Sequence, residues 1–445
     1  MDIYLKPSMF NRLINTCNGV VLYNSYIGVD SIIELSGDDA KTANEMLSST
    51  YIILDDKNGK LKSKLVERGY LVPSDIDEKS RRERLMIETI FSNDLRLIIH
   101  TIENCNFRCE YCALDFHKKD LDLSTQDRII KFIRKNIRFY NRVIIDWFGG
   151  EPLLNIAAIE RISREVKECC HKAHKQYVAS ITTNGYLLSP TNVNRLYNAN
   201  VYKICVTIDG IKETHNRQRH LLNGMPTFDR IIENLKSIRD NKSLSLDVII
   251  RTNISLEISQ ILDEYYKYYN ELFGHDKRFS LFVRLVGNWG GSRVDAFKPS
   301  IINRSSYKDI YHRFINYCGN ISFRNNYSDL EPAGCACGAM YKNKYTIDVS
   351  GNVHKCDTPM ESGKIGYIDE SGKMVLDEDM HYKWISPYGD KPKECDDCFF
   401  SCSCFMLTCP KKRALDKNNQ CEDFIAGIDE LILLCNNNIK RGKHK

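Results

Sequence analysis

Three cysteines, Cys105, Cys109 and Cys112, lie within eight residues in the stretch NCNFRCEYCALDF. A disulfide uses two cysteines, and a closed structural zinc site uses four ligands. Three thiolates complete neither of these sites unless a fourth coordination position is left open for another molecule. The number and spacing of these cysteines therefore predict a metal centre with one open position.

A [4Fe–4S] cluster fits this requirement, because each of its four irons takes one outside ligand, usually a thiolate. The spacing Cys105-x3-Cys109-x2-Cys112 closely resembles that of the radical S-adenosylmethionine (radical SAM) superfamily. The resemblance implies that the three cysteines bind three irons, that S-adenosylmethionine occupies the fourth, and that Tyr111 lies beside the adenine. It also implies cleavage of the cofactor to methionine and a 5'-deoxyadenosyl radical, which abstracts a hydrogen atom from an unactivated carbon.

Three further motifs extend the resemblance, and each follows an apolar, β-branched run. By resemblance, Gly149 and Gly150 of WFGGEP permit close backbone approach, and Glu151 holds the methionyl amine of the cofactor. TTNG is similar to the family's ribose- or carboxylate-side segment. VTIDG followed by ETHNRQR is similar to peptide-modifying members, which implies cofactor contacts for Thr207 and Arg219. A structural role is the alternative for each motif, because glycine pairs often end strands.

A second cysteine-rich region runs from Cys335 to Cys421 and contains nine cysteines. The runs CGAMYKNKYTIDVSGNVHKC and CDDCFFSCSCFMLTC closely resemble the SPASM domain, a C-terminal extension of radical SAM enzymes that carries up to two auxiliary [4Fe–4S] clusters. The resemblance implies one cluster on Cys356 and Cys409, with Cys337 and Cys335 as the candidate partners. It implies a second cluster on Cys395, Cys398, Cys404 and Cys421.

Two departures from the SPASM pattern leave ligands open. Four residues separate Cys404 from Cys409 where the pattern has three, and Cys402 is an additional cysteine, so the third ligand of the second cluster is not fixed. One residue separates Cys335 from Cys337, which makes joint ligation awkward. If only one of this pair binds, the first auxiliary cluster has an open iron that could take a substrate thiolate.

Zinc is the alternative metal for the C-terminal region, since CxxC elements commonly build zinc ribbons. A zinc-ribbon interaction protein is therefore the non-enzymatic hypothesis for this chain. The upstream three-cysteine motif favours iron, because the two cysteine blocks occur together in the radical SAM architecture that the sequence resembles.

The composition indicates a soluble globular protein, with 42% hydrophobic and 27% charged residues in a chain of 445. The N-terminus MDIYLKPSMF lacks the basic-then-apolar layout of a signal peptide. We therefore expect a cytoplasmic location with no membrane partner, where the 18 cysteines stay reduced and the clustered ones predict metal sites, while six scattered cysteines are buried or incidental. A net charge of +5 is small for this length and makes no case for nucleic acid.

From Leu95 onward, apolar runs alternate with amphipathic segments of helical length. The predicted strands are 95–102, 142–148, 177–183, 201–208, 245–254 and 279–286. The predicted helices are 123–139, 155–174, 189–199, 226–241, 257–272 and 305–318. Strand–helix alternation predicts parallel strands, and six repeats predict a partial (β/α)6 barrel of the radical SAM type, with its chemistry at the carboxyl ends of the strands. Asn253, after the fifth strand, is a further candidate for the cofactor site by the same resemblance.

The chain divides into four predicted regions. Residues 1–90 form a small α+β, winged-helix-like domain, and residues 95–300 form the barrel. Residues 301–334 bridge to an irregular, cysteine-rich SPASM domain at 335–445, in which bound metal replaces a large apolar core.

The SPASM branch mostly modifies peptides and proteins, and residues 1–90 resemble the module with which several members bind a precursor's leader by strand addition. The resemblance implies a cross-link, thioether or carbon–carbon, installed in a ribosomally made precursor peptide. It implies three [4Fe–4S] clusters and an external electron donor of flavodoxin or ferredoxin type. The alternative enzyme is an anaerobic sulfatase maturase that forms formylglycine, because Asp357 directly follows Cys356, where that family places its proposed base.

Overall fold

The computed structural model describes residues 4–53, 59–117, 119–288, 292–317, 327–357, 363–386, 393–406, 409–411, 414 and 427–440. The strands are β1 (Tyr4–Pro7), β2 (Asn11–Thr16), β3 (Gly19–Asn24), β4 (Gly28–Leu35), β5 (Ile52–Ile53), β6 (Leu71–Pro73), β7 (Asp94–His100), β8 (Arg142–Phe148), β9 (Gln176–Thr183), β10 (Val201–Thr207), β11 (Asp247–Ile254), β12 (Phe279–Leu285), β13 (Lys344–Ile347), β14 (Asn352–His354), β15 (Lys364–Ile368) and β16 (Met374–Leu376). The α-helices are α1 (Gly37–Leu47), α2 (Gly59–Glu67), α3 (Glu78–Ile90), α4 (Leu123–Asn136), α5 (Ile156–Lys172), α6 (Pro190–Asn198), α7 (Lys212–Gln218), α8 (Phe228–Asp240), α9 (Leu256–Gln260), α10 (Leu262–Phe273), α11 (Ser292–Phe297), α12 (Tyr307–Tyr317), α13 (Glu378–Ile385), α14 (Ser401–Cys404) and α15 (Ile428–Lys440).

Six parallel strands, β7 to β12, pair in chain order and form the barrel wall. Leu97, Ile99 and Trp147 of these strands are apolar and fully buried. Helices cross over between the strands, as parallel pairing requires. The predicted fold class, a partial (β/α)6 barrel with a small N-terminal α+β unit and a cysteine-rich C-terminal region, is confirmed.

The barrel helices begin and end where the sequence directs them. The Asp122 side chain accepts a hydrogen bond from the Thr125 amide and so caps α4. Ser189 caps α6 in the same way, with Pro190 in the first turn.

None of the helices in the described ranges is both long enough and apolar enough to cross a membrane.

The C-terminal region continues the barrel sheet instead of forming a separate layer. Strand β13 pairs in parallel with β7, so that Tyr345 lies opposite Leu97 and Ile347 opposite Ile99. Strands β14 to β16 then follow as an antiparallel extension. The sequence showed no regular periodicity here, because strands of three to five residues are too short to display alternation.

The N-terminal unit (residues 1–90) combines a β2–β3–β4 meander with β1 held between β5 and β6. One face of the meander, including Leu22 and Ile33, packs with α1 and α2 into a small separate core. The opposite face, including Tyr23 and Val29, joins the main core of the chain. The unit therefore has a core of its own and is packed against the rest of the molecule.

Candidate active site

The cysteine loop (residues 104–116) follows β7 at the carboxyl end of the first barrel strand. Cys105 is buried, and its sulfur accepts a hydrogen bond from the Phe107 amide at 3.3 Å. The Asn184 amide nitrogen lies 3.9 Å from the same sulfur. Hydrogen bonds to cysteine sulfurs are among the features with which proteins tune iron–sulfur clusters, so this environment fits a cluster ligand.

The cysteine sulfurs lie close enough to influence one another. Burial, together with the smaller effects of the charges on Glu151, Cys109 and Cys112, raises the pKa of Cys105 to about 12. Burial also raises the pKa of Cys109 to about 11, against the positive charge of Arg219. With such raised pKa values, the free cysteines would be protonated thiols at neutral pH. Coordination to a metal deprotonates a thiol, so these cysteines would bind a metal as thiolates.

The loop that follows α7 braces the cysteine loop. The Arg108 amide donates to the His220 carbonyl at 2.9 Å, and the Leu222 amide donates to the Asn106 carbonyl at 2.9 Å. The two segments therefore pair as a short antiparallel bridge, which fixes the cysteine loop to the loop after α7.

Gly149 and Gly150 lie where the loop after β8 passes directly against the cysteine loop. A Cβ on Gly149 would lie 2.4 Å from the Ile102 carbonyl oxygen, and one on Gly150 would lie 2.0 Å from that of Asn104. Gly149 also has a φ of +128°, which only glycine adopts without strain. The two glycines thus allow the close backbone approach that the sequence predicts, and the backbone they approach is that of residues 102–104. Their contacts with a cofactor stay a prediction.

Glu151 is fully buried and ties the ends of β8 and β9 together. Its carboxylate accepts hydrogen bonds from the Leu153 amide at 3.0 Å, the Thr183 hydroxyl at 2.7 Å and the Asn184 amide at 2.8 Å. Burial raises its pKa, and these hydrogen bonds oppose the shift. The residue lies beside the Cys105 sulfur, as a cofactor ligand would, and its contact with the methionyl amine stays a prediction.

Tyr111 is the centre of a buried polar network beside the cysteines. Its hydroxyl donates to the Asp209 carboxylate and accepts from the Arg219 guanidinium at 2.7 Å and from the Asn253 amide at 3.1 Å. The Asn253 backbone N–H donates to Asp209 at 2.8 Å. The structure thus brings together Tyr111 and Arg219, both predicted from the sequence, with the weaker candidate Asn253.

Asp209 is the site residue that sequence reasoning missed, although it lies in the quoted motif VTIDG. Its side chain is fully buried, and its carboxylate lies 3.7 Å from the Arg219 guanidinium. The available signal was a charged residue directly after an apolar strand, where a barrel places its functional groups.

Arg219 supplies a buried positive charge next to Cys109. Burial alone would lower its pKa, but the negative charges of Cys109, Tyr111 and Asp209 raise that pKa well above its usual value. The guanidinium lies 5.8 Å from the centre of the Phe107 ring, and its Nε has no hydrogen-bond partner among the described residues. The Arg219 guanidinium, with its unpaired Nε–H group, could therefore bind a neighbouring anionic cluster or a cofactor carboxylate.

Thr207 ends β10 on the same edge of the sheet, opposite Arg251 of β11. The side chain is buried, and its hydroxyl makes no hydrogen bond within the described ranges. Its position agrees with a cofactor-facing role, and the contact itself stays a prediction.

The two neighbouring C-terminal cysteines face different surroundings. The Cys335 thiol donates to the Asp329 carbonyl at 3.5 Å. Desolvation raises the pKa of Cys337, Lys344 opposes this shift, and Cys409 and Asp357 add to it. Cys337 is therefore near enough to Cys409 for their charges to interact, and the first auxiliary ligand set stays a prediction.

Of the cysteines in the second block, Cys402 is the most deeply buried, with no exposed surface. Burial raises its pKa to about 12, while a hydrogen bond with Ser25 and the charge of Arg82 lower it. Its thiol is thus buried against the N-terminal unit, whereas Cys395, Cys398 and Cys404 are half-buried. The predicted ligand Cys421 lies outside the described residues. No three His, Cys, Asp or Glu side chains in the described part of the chain converge on a single-ion site.

Asp357 is half-buried next to Cys356 and acts electrostatically on Cys337 and on His100. His100, the last residue of β7, is buried, and burial lowers its pKa to about 4 while Asp357 opposes the shift. Asp357 is therefore near enough to His100 and to Cys337 for its charge to act on both, and its role as a base stays a prediction.

The geometry defines a class of protein. A partial β/α barrel carries three cysteines after its first strand, next to a buried cation, and this is the arrangement of an iron–sulfur enzyme whose cluster keeps one iron open for a cofactor. Residues 99–254 match the sequence profile of the Radical SAM superfamily, so the barrel of this chain carries a radical SAM domain.

Curated relatives agree with this assignment. The chain is 24% identical to the cysteine-type anaerobic sulfatase-maturating enzyme of Clostridium novyi over 62% of this chain and 76% of that protein. It is 22% identical to the serine-type enzyme of Bacteroides thetaiotaomicron over 69% of this chain and 80% of that protein. An uncharacterized protein of Methanocaldococcus jannaschii, MJ0907, is 29% identical over 39% of this chain, which spans only 57% of that protein's length.

Solved structures share the fold. The anaerobic sulfatase-maturating enzyme anSMEcpe with bound AdoMet superposes with a TM-score of 0.59 at 17% identity, covering 78% of this chain and 97% of its own. Streptococcus suis SuiB bound to its precursor peptide SuiA superposes with a TM-score of 0.50 at 15% identity, covering 92% of this chain and 98% of its own.

Proposed function

We propose that this protein abstracts a hydrogen atom from a ribosomally made precursor peptide and installs a thioether or carbon–carbon cross-link. The observation that carries the proposal is the extent of the fold match. The sulfatase-maturating structure leaves a part of this chain unmatched that is comparable in size to the N-terminal unit, whereas the SuiB structure leaves far less. A match that extends over the N-terminal unit would account for this difference, and on that reading the fold match supports a precursor peptide as the substrate.

The N-terminal unit offers an edge strand to a leader peptide. Strand β2 pairs only with β3 among the described strands, and Thr16 and Gly19 flank its two-residue turn. Thr16 and Gly19, which flank the turn, form a hydrogen-bonded pair, and hydrogen-bonded and non-hydrogen-bonded pairs alternate along an antiparallel ladder. The N–H and C=O groups of Asn15 and Leu13 therefore point away from β3, toward the free edge of β2. An extended peptide added at this edge would gain main-chain hydrogen bonds, which is the usual basis of strand addition.

The barrel residues would hold the cofactors. A [4Fe–4S] cluster with S-adenosylmethionine supplies, when bound, a carbon-centred radical that abstracts hydrogen. Cys105, Cys109 and Cys112 are the cluster ligands in this proposal. Arg219 would balance their negative charge, and Glu151 would accept a hydrogen bond from the cofactor amine.

The auxiliary sites use the C-terminal cysteines in this proposal. The first set is Cys337, Cys356 and Cys409, with Cys335 as the additional candidate. The second set is Cys395, Cys398, Cys404 and Cys421. The complete burial of the Cys402 thiol against the N-terminal unit supports Cys404 as the third ligand of the second set.

The experiment is a search of the neighbouring genes for a short cysteine-rich peptide, followed by incubation of that peptide with the anaerobically reconstituted enzyme. We expect about twelve irons per chain, in three clusters of four, and a loss of two hydrogens from the peptide, located by tandem mass spectrometry. A peptide of unchanged mass, under conditions where the enzyme releases deoxyadenosine, would contradict cross-linking. Zinc with no iron would contradict the entire assignment.

Formylglycine formation is the second candidate. It is favoured by Asp357, which lies next to Cys356 and acts on Cys337, and by the sulfatase-maturating relatives. The test uses a synthetic peptide with a sulfatase active-site cysteine and a hydrazine probe for the aldehyde. Aldehyde formation that Asp357→Asn abolishes, with cofactor cleavage retained, would favour this candidate over cross-linking.

A further inference from the structure

Arg82 of helix α3 is a charged side chain buried within the protein. Only 1% of its surface is exposed. Its nearest carboxylate is that of Asp396, 4.0 Å away and itself 43% exposed. Glu78, one turn earlier on the helix, is engaged instead by the Ser8 hydroxyl at 2.5 Å and the Met9 amide at 3.0 Å. A guanidinium buried with so little direct charge pairing is costly, so its hydrogen-bond partners need an explanation.

These partners belong to the auxiliary loop (residues 395–404), which carries the second cysteine block. The Nη1 group of Arg82 lies 3.5 Å from the Cys395 carbonyl oxygen, 3.2 Å from that of Asp396 and 3.1 Å from the Ser401 hydroxyl. Its Nε has no partner among the described residues. The side chain thus joins the first CxxC cysteine to the start of the short helix α14.

Two more residues of the N-terminal unit hold the same loop. The Tyr23 hydroxyl lies 3.2 Å from the Ser403 hydroxyl and donates to the Leu330 carbonyl at 2.6 Å. The Ser25 hydroxyl donates to the Phe399 carbonyl. Hydrogen bonds therefore run from the N-terminal unit to the beginning, middle and end of the auxiliary loop. Lys79 also pairs with Asp397 of this loop at 3.1 Å, but both side chains are exposed, whereas the charge of Arg82 is buried.

We infer that Arg82 is a positioning residue for the auxiliary cluster, which the proposed function assigns to Cys395, Cys398 and Cys404. By fixing the loop carbonyls it keeps the CxxC cysteines in place, as groups behind metal ligands do. Its buried positive charge also stabilises the added electron, because net charge and hydrogen bonding near a cluster set its reduction potential. Reduction of this cluster therefore depends on a residue of the N-terminal unit, which links the proposed peptide-binding part of the chain to electron transfer.

The test compares full-length Arg82→Gln, Arg82→Lys and wild-type protein after anaerobic reconstitution. The readouts are iron per chain, midpoint potentials from a redox titration followed by electron paramagnetic resonance, and deoxyadenosine release without peptide. Arg12→Gln is the matched control. The Arg12 guanidinium lies 5.2 Å from the Phe399 ring of the same loop, but its side chain is 42% exposed and is paired with Asp429.

We expect Arg82→Gln to lower the midpoint potential of one cluster, or to lose that cluster's signal with about four irons, while deoxyadenosine release is kept. Arg82→Lys keeps the charge but not the planar fork, so it should retain more of the potential than Arg82→Gln. Arg12→Gln should match wild type.

Unchanged iron content and midpoint potentials in Arg82→Gln would overturn this inference but not the proposed function. A fall in midpoint potential in Arg12→Gln equal to that in Arg82→Gln would overturn it as well. If Arg82→Gln does not fold, wild-type potentials and iron content in Arg82→Lys overturn the positioning role, and a shift or loss there supports it. Wild-type protein that binds only about four irons would overturn the proposed auxiliary clusters and the inference with them.

Discussion

Replacing Arg219 with methionine tests the buried network beside the cysteine loop. Arg219 is 6% exposed and Asp209 is fully buried, so water cannot take over the lost interaction. Removing one partner of a buried pair costs about 3–5 kcal/mol, and we expect the lower end because Tyr111 and Asn253 still donate to Asp209. For a barrel-sized unit, 3 kcal/mol corresponds to a fall in melting temperature of about 6–12 °C.

The loss should depend on pH, with a sign that follows from Asp209. Burial raises the pKa of this carboxyl, and the charge of Arg219 opposes the shift, so the variant has a pKa that is higher still. A group whose pKa is raised by folding stabilises the fold below its unfolded value and loses that contribution as pH rises through the folded value. The deficit of Arg219→Met should therefore be small at about pH 5 and larger at about pH 8.

The assay is thermal melting of the protein before cluster reconstitution, at both pH values. Combining Arg219→Met with Asp209→Asn removes the unpaired charge, so the double variant should be more stable at high pH than Arg219→Met alone. Arg217→Met is the matched control, since that arginine is 61% exposed, pairs with Glu257 and should cost no more than about 1 kcal/mol. A deficit that does not change with pH, or strictly additive costs in the double variant, would refute the reasoning.

Three further variants extend the tests. Burial raises the pKa of Asp348, but hydrogen bonds from His354 and Asn352 outweigh it and lower this pKa to about 2. The wild-type protein should therefore lose about 2 kcal/mol of folding stability as pH falls from about 5 toward 2. Thermal melting over this pH range should show no such loss in Asp348→Asn. Asn15→Pro removes an outward N–H from β2 and should weaken leader-peptide binding in a fluorescence titration, whereas Asn15→Ala should not; equal affinities would exclude this edge. Gly150→Ala places a Cβ 2.0 Å from a backbone oxygen of the cysteine loop and should reduce iron loading, and wild-type iron content would contradict that packing.

The barrel could be predicted because its information is local. Each of the strands β7 to β12 is an apolar run of seven or eight residues followed by an amphipathic helix, and parallel crossovers then permit few arrangements. The position of Cys105, Cys109 and Cys112 follows from the same rule, since a loop after a parallel strand lies at the functional end of the sheet.

The rest depends on contacts that sequence spacing does not encode. Strand β13 has four residues and is a strand because it pairs with β7, more than two hundred residues earlier. Asp209 is marked as a site residue by its hydrogen bond from Tyr111 and its ion pair with Arg219, and both partners come from other loops of the chain. The contact of Arg82 with the auxiliary loop is of the same kind, because nothing in the charged segment SDIDEKSRRERLMIE marks one arginine as buried.

A shared electrostatic feature connects the three cysteine sets. Arg219 acts on Cys109, Arg82 contacts the second C-terminal block, and Lys355 acts on Cys337 from a fully buried position. The Lys355 ammonium donates to the carbonyls of Tyr341 and Lys344 at 2.6 and 2.8 Å and makes no ion pair with a carboxylate of the described residues. Buried cations with carbonyl partners are costly on their own, but thiolate-ligated clusters would supply compensating negative charge. The chain therefore places these three buried basic side chains beside the proposed clusters, whose negative charge would offset the cost of burying them.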